Sequence, residues 1–358
     1  MESIQFSKPT ISLEKSDYTE IHKIINSGWV SIGVNVERLE AEFRSRYKVK
    51  HAIACSSCTQ GLVVVMKAAG WRNKKVAVQP FTWPSTVYAI ESNIGNVPVF
   101  CDIDPETWLI DINNLPVKAY DAVLAVDTFG NQAEIKTNKP VIYDSAHGFD
   151  LKDLGHRGIA EVISFSFTKV VSASEGGMIL TNDNRLAETA SELRRLSCRM
   201  PEINAVIALR SLKNYEKNQE AKIKIIDRYL KSFEFKFNTQ RIQSCTNYSV
   251  FSILLDTPDE RDAIAHALKK SGVEFKTYYD PLVSGLKNID SVYSRILSLP
   301  VYPQIADVQD KICDIINAAA KSASIAQKIR HYSSSVPTPG KRYLKKSGYL
   351  DTYLRKQL

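Results

Sequence analysis

One lysine, Lys169, stands five residues after a β-rich run and six before a Glu-Gly-Gly turn, in "SFSFTKVVSASEGGMIL" (164–180). Most lysines are solvated loop residues. An amine held at the lip of a sheet is instead a nucleophile toward an aldehyde, once burial or a neighbouring cation strips its proton. Asp144 ends an apolar run in "VIYDSAHGF" (141–149), with His147 three residues on. A carboxylate at the carboxyl end of a strand lies where α/β folds bind ligands. It can keep a pyridine nitrogen protonated, or merely cap a turn, while His147 can reach a phenolic oxygen of the same ring. In "SSCTQGL" (56–62) a strand turns into a helix, so Cys58 and Thr59 can offer backbone amides to a phosphate; serine and threonine also cap helices everywhere. Trp83 opens a further helix in "PFTWPSTVYAI" (80–90). There its ring can lie flat on a heteroaromatic one or fill the core. Ser164 can add a hydrogen bond to the phosphate, and Gly176 and Gly177 let the chain turn into its next strand. Together the segments ask for one thing: an anionic, aromatic, aldehyde-bearing cofactor.

Positioning these groups takes a sheet with its ligand edge open. Between 51 and 180, "HAIACS", "KVAVQP", "VPVFCDI", "DAVLAVDTF" and "KPVIYDSA" alternate with helical stretches. That rhythm predicts an α/β sheet with helices on its faces, and continuous apolar runs such as "DAVLAV" predict strands buried on both sides. Helical patterning follows to about 235, and "NAVIALRSLKNYEKNQEAKIKIIDRYLKSF" reads as one long amphipathic helix. "NYSVFSILL", "DERDAIAHALKKSG" and "VEFKTYY" read as a strand–helix–strand unit, closed by a last helix over "DVQDKICDIINAAAKSASIAQKI". The expected organisation is a large domain over 1–235, a smaller α/β domain over 236–330, and a basic tail over 331–358.

The 358 residues carry a net charge of +8 and 44% hydrophobic residues, as an ordinary globular chain does. No apolar run is long enough to span a membrane, and the start has an early acid and no apolar leader core. A cytoplasmic chain is therefore expected, with no membrane partner. The basic balance suits an anionic small molecule; no basic stripe with interleaved aromatics points to nucleic acid. Cys55 and Cys58 form a C-x-x-C, but no second ligand pair or nearby histidine completes a zinc site, so no metal is expected.

The ordered segments "SGWVSIGVNVERLEAEF", "CSSCTQGL", "PFTWPSTVYAI", "VPVFCDIDPETW", "VDTFGNQAEI", "IYDSAHGFD", "FSFTKVVSASEGGMILTND", "CRMPEINAVIALRSL", "VEFKTYYDPL" and "LSLPVYP" resemble the DegT–StrS sugar aminotransferases, which depend on pyridoxal 5'-phosphate. The resemblance implies an α/β, fold type I (aspartate aminotransferase-like) architecture, with a mixed, mostly parallel sheet and a smaller C-terminal α/β domain. It implies that Lys169 carries the cofactor as a Schiff base, that Asp144 pairs with the ring nitrogen and that His147 lies near the ring hydroxyl. Trp83 would stack on the ring, and Cys58, Thr59 and Ser164 would hold the phosphate. The family usually has glycine or alanine at Cys58 and often histidine at Ser166. Ser197 stands where it has an asparagine that reaches the neighbouring subunit's phosphate; a homodimer with shared active sites is implied. Trp29 and Ser31, with Lys276, Tyr278 and Tyr279, are candidate substrate contacts. The implied reaction moves an amino group from an amino acid, glutamate by family habit, to a nucleotide-linked keto-deoxy sugar. Its product would serve a surface polysaccharide such as lipopolysaccharide, or a glycosylated metabolite. Two alternatives share the fold: a sugar 3-dehydratase, which places histidine at the imine lysine, and a non-catalytic regulatory homologue.

Overall fold

The computed structural model describes residues 3–9 and 11–335. In chain order its larger part comprises α1 (Lys15–Ser27), α2 (Val34–Tyr47), β1 (His51–Cys55), α3 (Cys58–Ala68), β2 (Lys75–Val78), α4 (Pro84–Glu91), β3 (Val97–Phe100), β4 (Ala122–Val126), β5 (Val141–Ser145), β6 (Ala160–Ser164), β7 (Gly177–Thr181), α5 (Asn184–Ser197) and α6 (Glu202–Lys213). There follow α7 (Tyr215–Ser232), β8 (Asn238–Thr239), β9 (Phe251–Leu254), α8 (Pro258–Lys270), α9 (Lys287–Tyr293), β10 (Ile296–Leu299) and α10 (Gln309–Ser335).

Strands β1 to β7 form one sheet in the order β1-β7-β6-β5-β4-β2-β3. Only β7 runs against its neighbours, so the sheet is mixed and mostly parallel. Every residue of β4, β5, β6 and β7 is buried, because alternate side chains meet helices or loops on both faces. Ile53, Leu124, Val162 and Ile179 pack with Leu62, Val65, Ile90 and Leu186 of α3, α4 and α5. Ala54, Met178 and Leu180 turn the other way, onto Leu39 and Phe43 of α2 and Ala205 of α6. Each large aliphatic side chain so buried contributes about 1.5–3 kcal/mol. Helix α3 lies close on the sheet because it carries Gly61, where a Cβ would sit 2.7 Å from Val162 Cγ1.

A three-stranded antiparallel sheet, β10-β9-β8, is covered by α8 and α10 and shares a core with α7: Ile225, Tyr229, Ile253, Leu268, Leu297 and Ile316. The chain's start joins it, since Ile4 bridges Val273 in parallel.

Two expectations about elements are corrected. The predicted long helix is two, separated at Asn214; beside the break Ser211 Oγ accepts the Ser172 amide at 3.0 Å and Tyr215 packs edge-on against Phe149. "VEFKTYY" is no strand of the sheet. Its backbone makes single bridges, Val273 to Ile4 and Lys276 to Ser298, and the place beside β9 is taken by "ILSL" of β10. Helix α10 runs on to Ser335, five residues into the segment read as a tail; the rest of that tail lies outside the described residues.

Candidate active site

The carboxyl ends of β4, β5 and β6 and the N-termini of α3 and α4 meet at one cavity of about 660 Å³. Asp144 sits one residue from the end of β5, in register with Val126 and Val162 on either side, and is 4% exposed. The Thr86 hydroxyl donates to its Oδ2 at 2.7 Å, the Ala146 amide donates to Oδ1 at 3.1 Å, and the Cys58 thiol lies 3.6 Å from Oδ1. Burial raises the Asp144 pKa, against the pull of Thr86, the Ala146 amide, Lys169 and Cys58. A cationic ring nitrogen placed here would supply the counter-charge that burial withholds.

Lys169 lies in the loop after β6, where its amide donates to Ser166 O at 2.9 Å and closes a tight turn. Its side chain is half-buried in the cavity wall, and its amine makes no hydrogen bond to the described residues. Burial pulls its pKa down to about 8, although Cys58, Asp144 and Glu175 favour the charged form. His147 follows on the turn beyond β5, pinned by Asn247 Nδ2, which donates to the His147 carbonyl at 2.6 Å. Burial, with the charges of Lys169 and Lys222, pushes its pKa well below the usual histidine value, so the imidazole is neutral. Its Nδ1 is closed off from solvent without a hydrogen-bond partner.

The N-terminus of α3 supplies an anion seat. Ser57 caps it by accepting the Gln60 amide at 3.2 Å, which leaves the Cys58 and Thr59 amides open, as first-turn amides are. A Cβ at Gly177 would stand 2.7 Å from the Cys58 nitrogen, so this edge needs glycine to stay clear. Ser164 Oγ accepts the Ser166 amide at 3.2 Å and keeps its own proton to donate. Trp83 is the N-cap of α4, fixed by Pro84, with 59% of its surface exposed and its ring edge-to-face with Tyr278.

Ten of the sequence-predicted residues line this cavity: Cys58, Thr59, Trp83, Asp144, His147, Ser164, Lys169, Lys276, Tyr278 and Tyr279. Three do not. Ser197 is exposed at the end of α5, its hydroxyl donating to Leu193 O at 2.9 Å. Trp29 and Ser31 lie on the outer surface, where Ser31 bridges Pro201 and the Trp29 indole donates to Ile32 O at 3.3 Å. Sequence reasoning missed Thr86, in the first turn of α4. It also missed Asn218 and Lys222, whose spacing from Tyr215 puts them on one face of α7. The lysine-rich run there reads as a solvated face, and only the fold turns that side inward.

The residues present fit a phosphorylated pyridine aldehyde: an amine of lowered pKa, a buried carboxylate, an unpartnered imidazole nitrogen, a helix N-terminus and a free indole face.

Comparison with known proteins agrees with this chemistry. The model of the DegT/DnrJ/EryC1/StrS aminotransferase family matches residues 12–317. The spore coat polysaccharide biosynthesis protein SpsC of Bacillus subtilis is 28% identical, over 88% of this chain and 96% of its own. GDP-perosamine synthase of Vibrio cholerae is 26% identical, over 85% and 96%. Among solved structures, DesI in the presence of its TDP-sugar product superposes with a TM-score of 0.82 at 23% identity, covering 92% of this chain and 96% of its own. NtdA of Bacillus subtilis with bound cofactor PMP gives a TM-score of 0.78 at 20% identity, covering 86% and 83%.

Proposed function

This chain belongs to the DegT/DnrJ/EryC1/StrS aminotransferase family, and on that premise we propose that it moves an amino group from glutamate to a ketone of a nucleotide-linked deoxy sugar. It is a pyridoxal-phosphate-dependent sugar aminotransferase of amino-sugar biosynthesis. The donor, the nucleotide, the cytoplasmic location and a surface polysaccharide or glycosylated metabolite as destination are the finer parts of the proposal. The observation that carries it is the opening of the Lys169 amine and the Asp144 carboxylate onto one cavity.

When bound, the cofactor supplies an aldehyde for the amino group and an electron sink for the pair left at the donor's α-carbon. Lys169 would hold that aldehyde, then move a proton at the α-carbon, first as base and then as acid; a pKa of about 8 suits both tasks near neutral pH. Asp144, fixed by Thr86 and the Ala146 amide, would keep a proton on the ring nitrogen. His147, neutral and unpartnered at Nδ1, would face the ring oxygen. The Cys58 and Thr59 amides and the Ser164 hydroxyl would hold the phosphate, while Trp83 covers one ring face and excludes water from it. Lys276, Tyr278 and Tyr279 would meet the substrate.

Trp29, Ser31 and Ser197 would act across the interface of a homodimer with shared active sites. We also propose a domain boundary near residue 235, the first residues of the chain joining the smaller unit through Ile4. No observation favours the dehydratase reading, since position 169 is lysine.

The test is direct. Purified protein is expected to be yellow, to lose its colour irreversibly with borohydride, and to bleach with L-glutamate until a keto-sugar nucleotide restores the colour. Lys169→Ala should abolish all three responses. A colourless protein that takes up no added cofactor would overturn the reading.

A further inference from the structure

Helix α7 turns Tyr215, Asn218, Gln219 and Lys222 into the cavity. Lys222 is 8% exposed, yet takes part in no salt bridge among the described residues; its one hydrogen bond runs from Nζ to the Ser249 carbonyl at 3.1 Å. Burial pulls its pKa down to about 7, and an anion beside it would favour the charged form again; as an ammonium group it has three donors, of which two remain unspent. Asn218 Nδ2, a turn away, is shielded from solvent without a partner, as is His147 Nδ1 on the facing loop. The spacing between the two elements is fixed. Gln219 Nε2 donates to the Asn247 carbonyl at 2.7 Å, and Asn247 Nδ2 donates to the His147 carbonyl at 2.6 Å.

Such a cluster asks for an acceptor. Lys222 and Asn218 present donors that the fold itself does not use, and a buried donor left unpaired is costly. An acceptor-only, singly charged and compact group satisfies them, and a carboxylate is that group. The cofactor's phosphate would sit at the N-terminus of α3; a nucleotide's diphosphate is the remaining anion in the proposed reaction, but an amine this deeply buried suits a small terminal group better. Lys222, His147 and Lys169 line one cavity, so an anion at Lys222 shares the site with the reacting amine. We propose that Lys222 and Asn218 form a carboxylate subsite for the amino-acid donor, beside His147.

The proposal rests on the cofactor reading of Lys169 and Asp144, and the experiment separates the two. Wild-type holoenzyme is titrated first with L-glutamate, read by the loss of colour; no colour, or no bleaching by any amino acid, overturns the cofactor reading and the subsite with it. Lys222→Met, close in size to lysine, should then keep the wild-type spectrum. It should raise the glutamate concentration for half-bleaching by about tenfold or more, and leave the recolouring half-reaction with keto-sugar nucleotide unchanged. Lys222→Arg should recover most of the loss. Independently of turnover, glutarate, which has carboxylates but no amine, should bind the wild-type holoenzyme by calorimetry and bind Lys222→Met holoenzyme about tenfold more weakly. Half-bleaching within twofold of wild type, or an equal defect in both half-reactions, would overturn the subsite, the second result assigning Lys222 to the sugar nucleotide. If Lys222→Met does not fold, Asn218→Asp carries the same test, since a like charge in the subsite should weaken glutarate as strongly.

Discussion

At Lys169 two effects compete over one proton. Burial disfavours the ammonium form, while Cys58, Asp144 and Glu175 favour it, and burial wins: the pKa falls from 10.5 to about 8. Only the neutral amine attacks an aldehyde. Cofactor capture by the apoprotein should therefore accelerate with pH through a midpoint near 8 and level off above it. Stopped-flow absorbance across the pH range checks this, and a midpoint near 10.5 would mean an ordinary solvated lysine. The same shift makes the folded state bind fewer protons than the unfolded chain between about 8 and 10.5, so this residue's contribution to apoprotein stability rises over that window. Lys169 and Asp144 were legible in the sequence because each sits at a strand end beside a short, recognisable turn. Thr86 was not, since the carboxylate it serves lies 58 residues away in the chain. Nor was Lys222, whose neighbours in sequence are those of a surface helix.

The elements behind the site are tied by one buried cation. Arg157 donates to Asp127 Oδ1 and Oδ2 at 2.9 and 2.8 Å, and its Nε donates to Glu161 Oε2 at 2.9 Å. The guanidinium also lies over the Tyr143 ring, 4.4 Å from its centroid. Asp127 follows β4, Tyr143 is in β5 and Glu161 in β6, so the cluster ties together the three strands whose ends build the cavity. Both acid side chains are fully buried, and Asp127 itself lines the cavity. Removing the cation leaves two uncompensated carboxylates, which costs about 3–5 kcal/mol for a broken buried pair. Arg157→Met should lower the urea-unfolding free energy of the apoprotein by about that amount and weaken cofactor binding. A change below about 1 kcal/mol would show the network to be ornamental. None of this was legible in the sequence, because Arg157 lies in a loop with nothing local to mark it as buried. The strands it braces were plain from their unbroken apolar runs. The division of the long helix at Asn214 was hidden for the opposite reason: the local pattern continues across it, while Ser211 and Tyr215 on either side meet other parts of the fold.

Across the whole molecule, the segment before α2 is held rigidly yet shows its apolar side chains to solvent. The Glu202 carboxylate, itself buried, accepts the amides of Gly33, Asn35 and Val36 at 2.8 to 2.9 Å, and the Glu202 amide donates to Val30 O at 2.9 Å. The α2 end is thus fixed, while Trp29 is 68% exposed, with Val30 and Val34 also open. Leu196, near the end of α5 and a few residues before the Pro201 that bridges Ser31, is 85% exposed. Apolar side chains clamped in an exposed position are suited to burial against a second copy of the chain, which is the proposed homodimer. Of the three predicted site residues that miss the cavity, Trp29 and Ser31 belong to this segment, and Ser197 is exposed at the end of α5. The chain should therefore sediment as a dimer. A double Val30→Asp, Leu196→Asp variant should sediment as a monomer with an unchanged far-ultraviolet circular dichroism spectrum, because neither side chain supports the fold. If a partner completes the phosphate site as proposed, the variant's cofactor affinity should drop about tenfold or more. A variant that stays dimeric would place the interface elsewhere, and a monomer that binds cofactor as tightly as wild type would show each cavity to be complete within one chain.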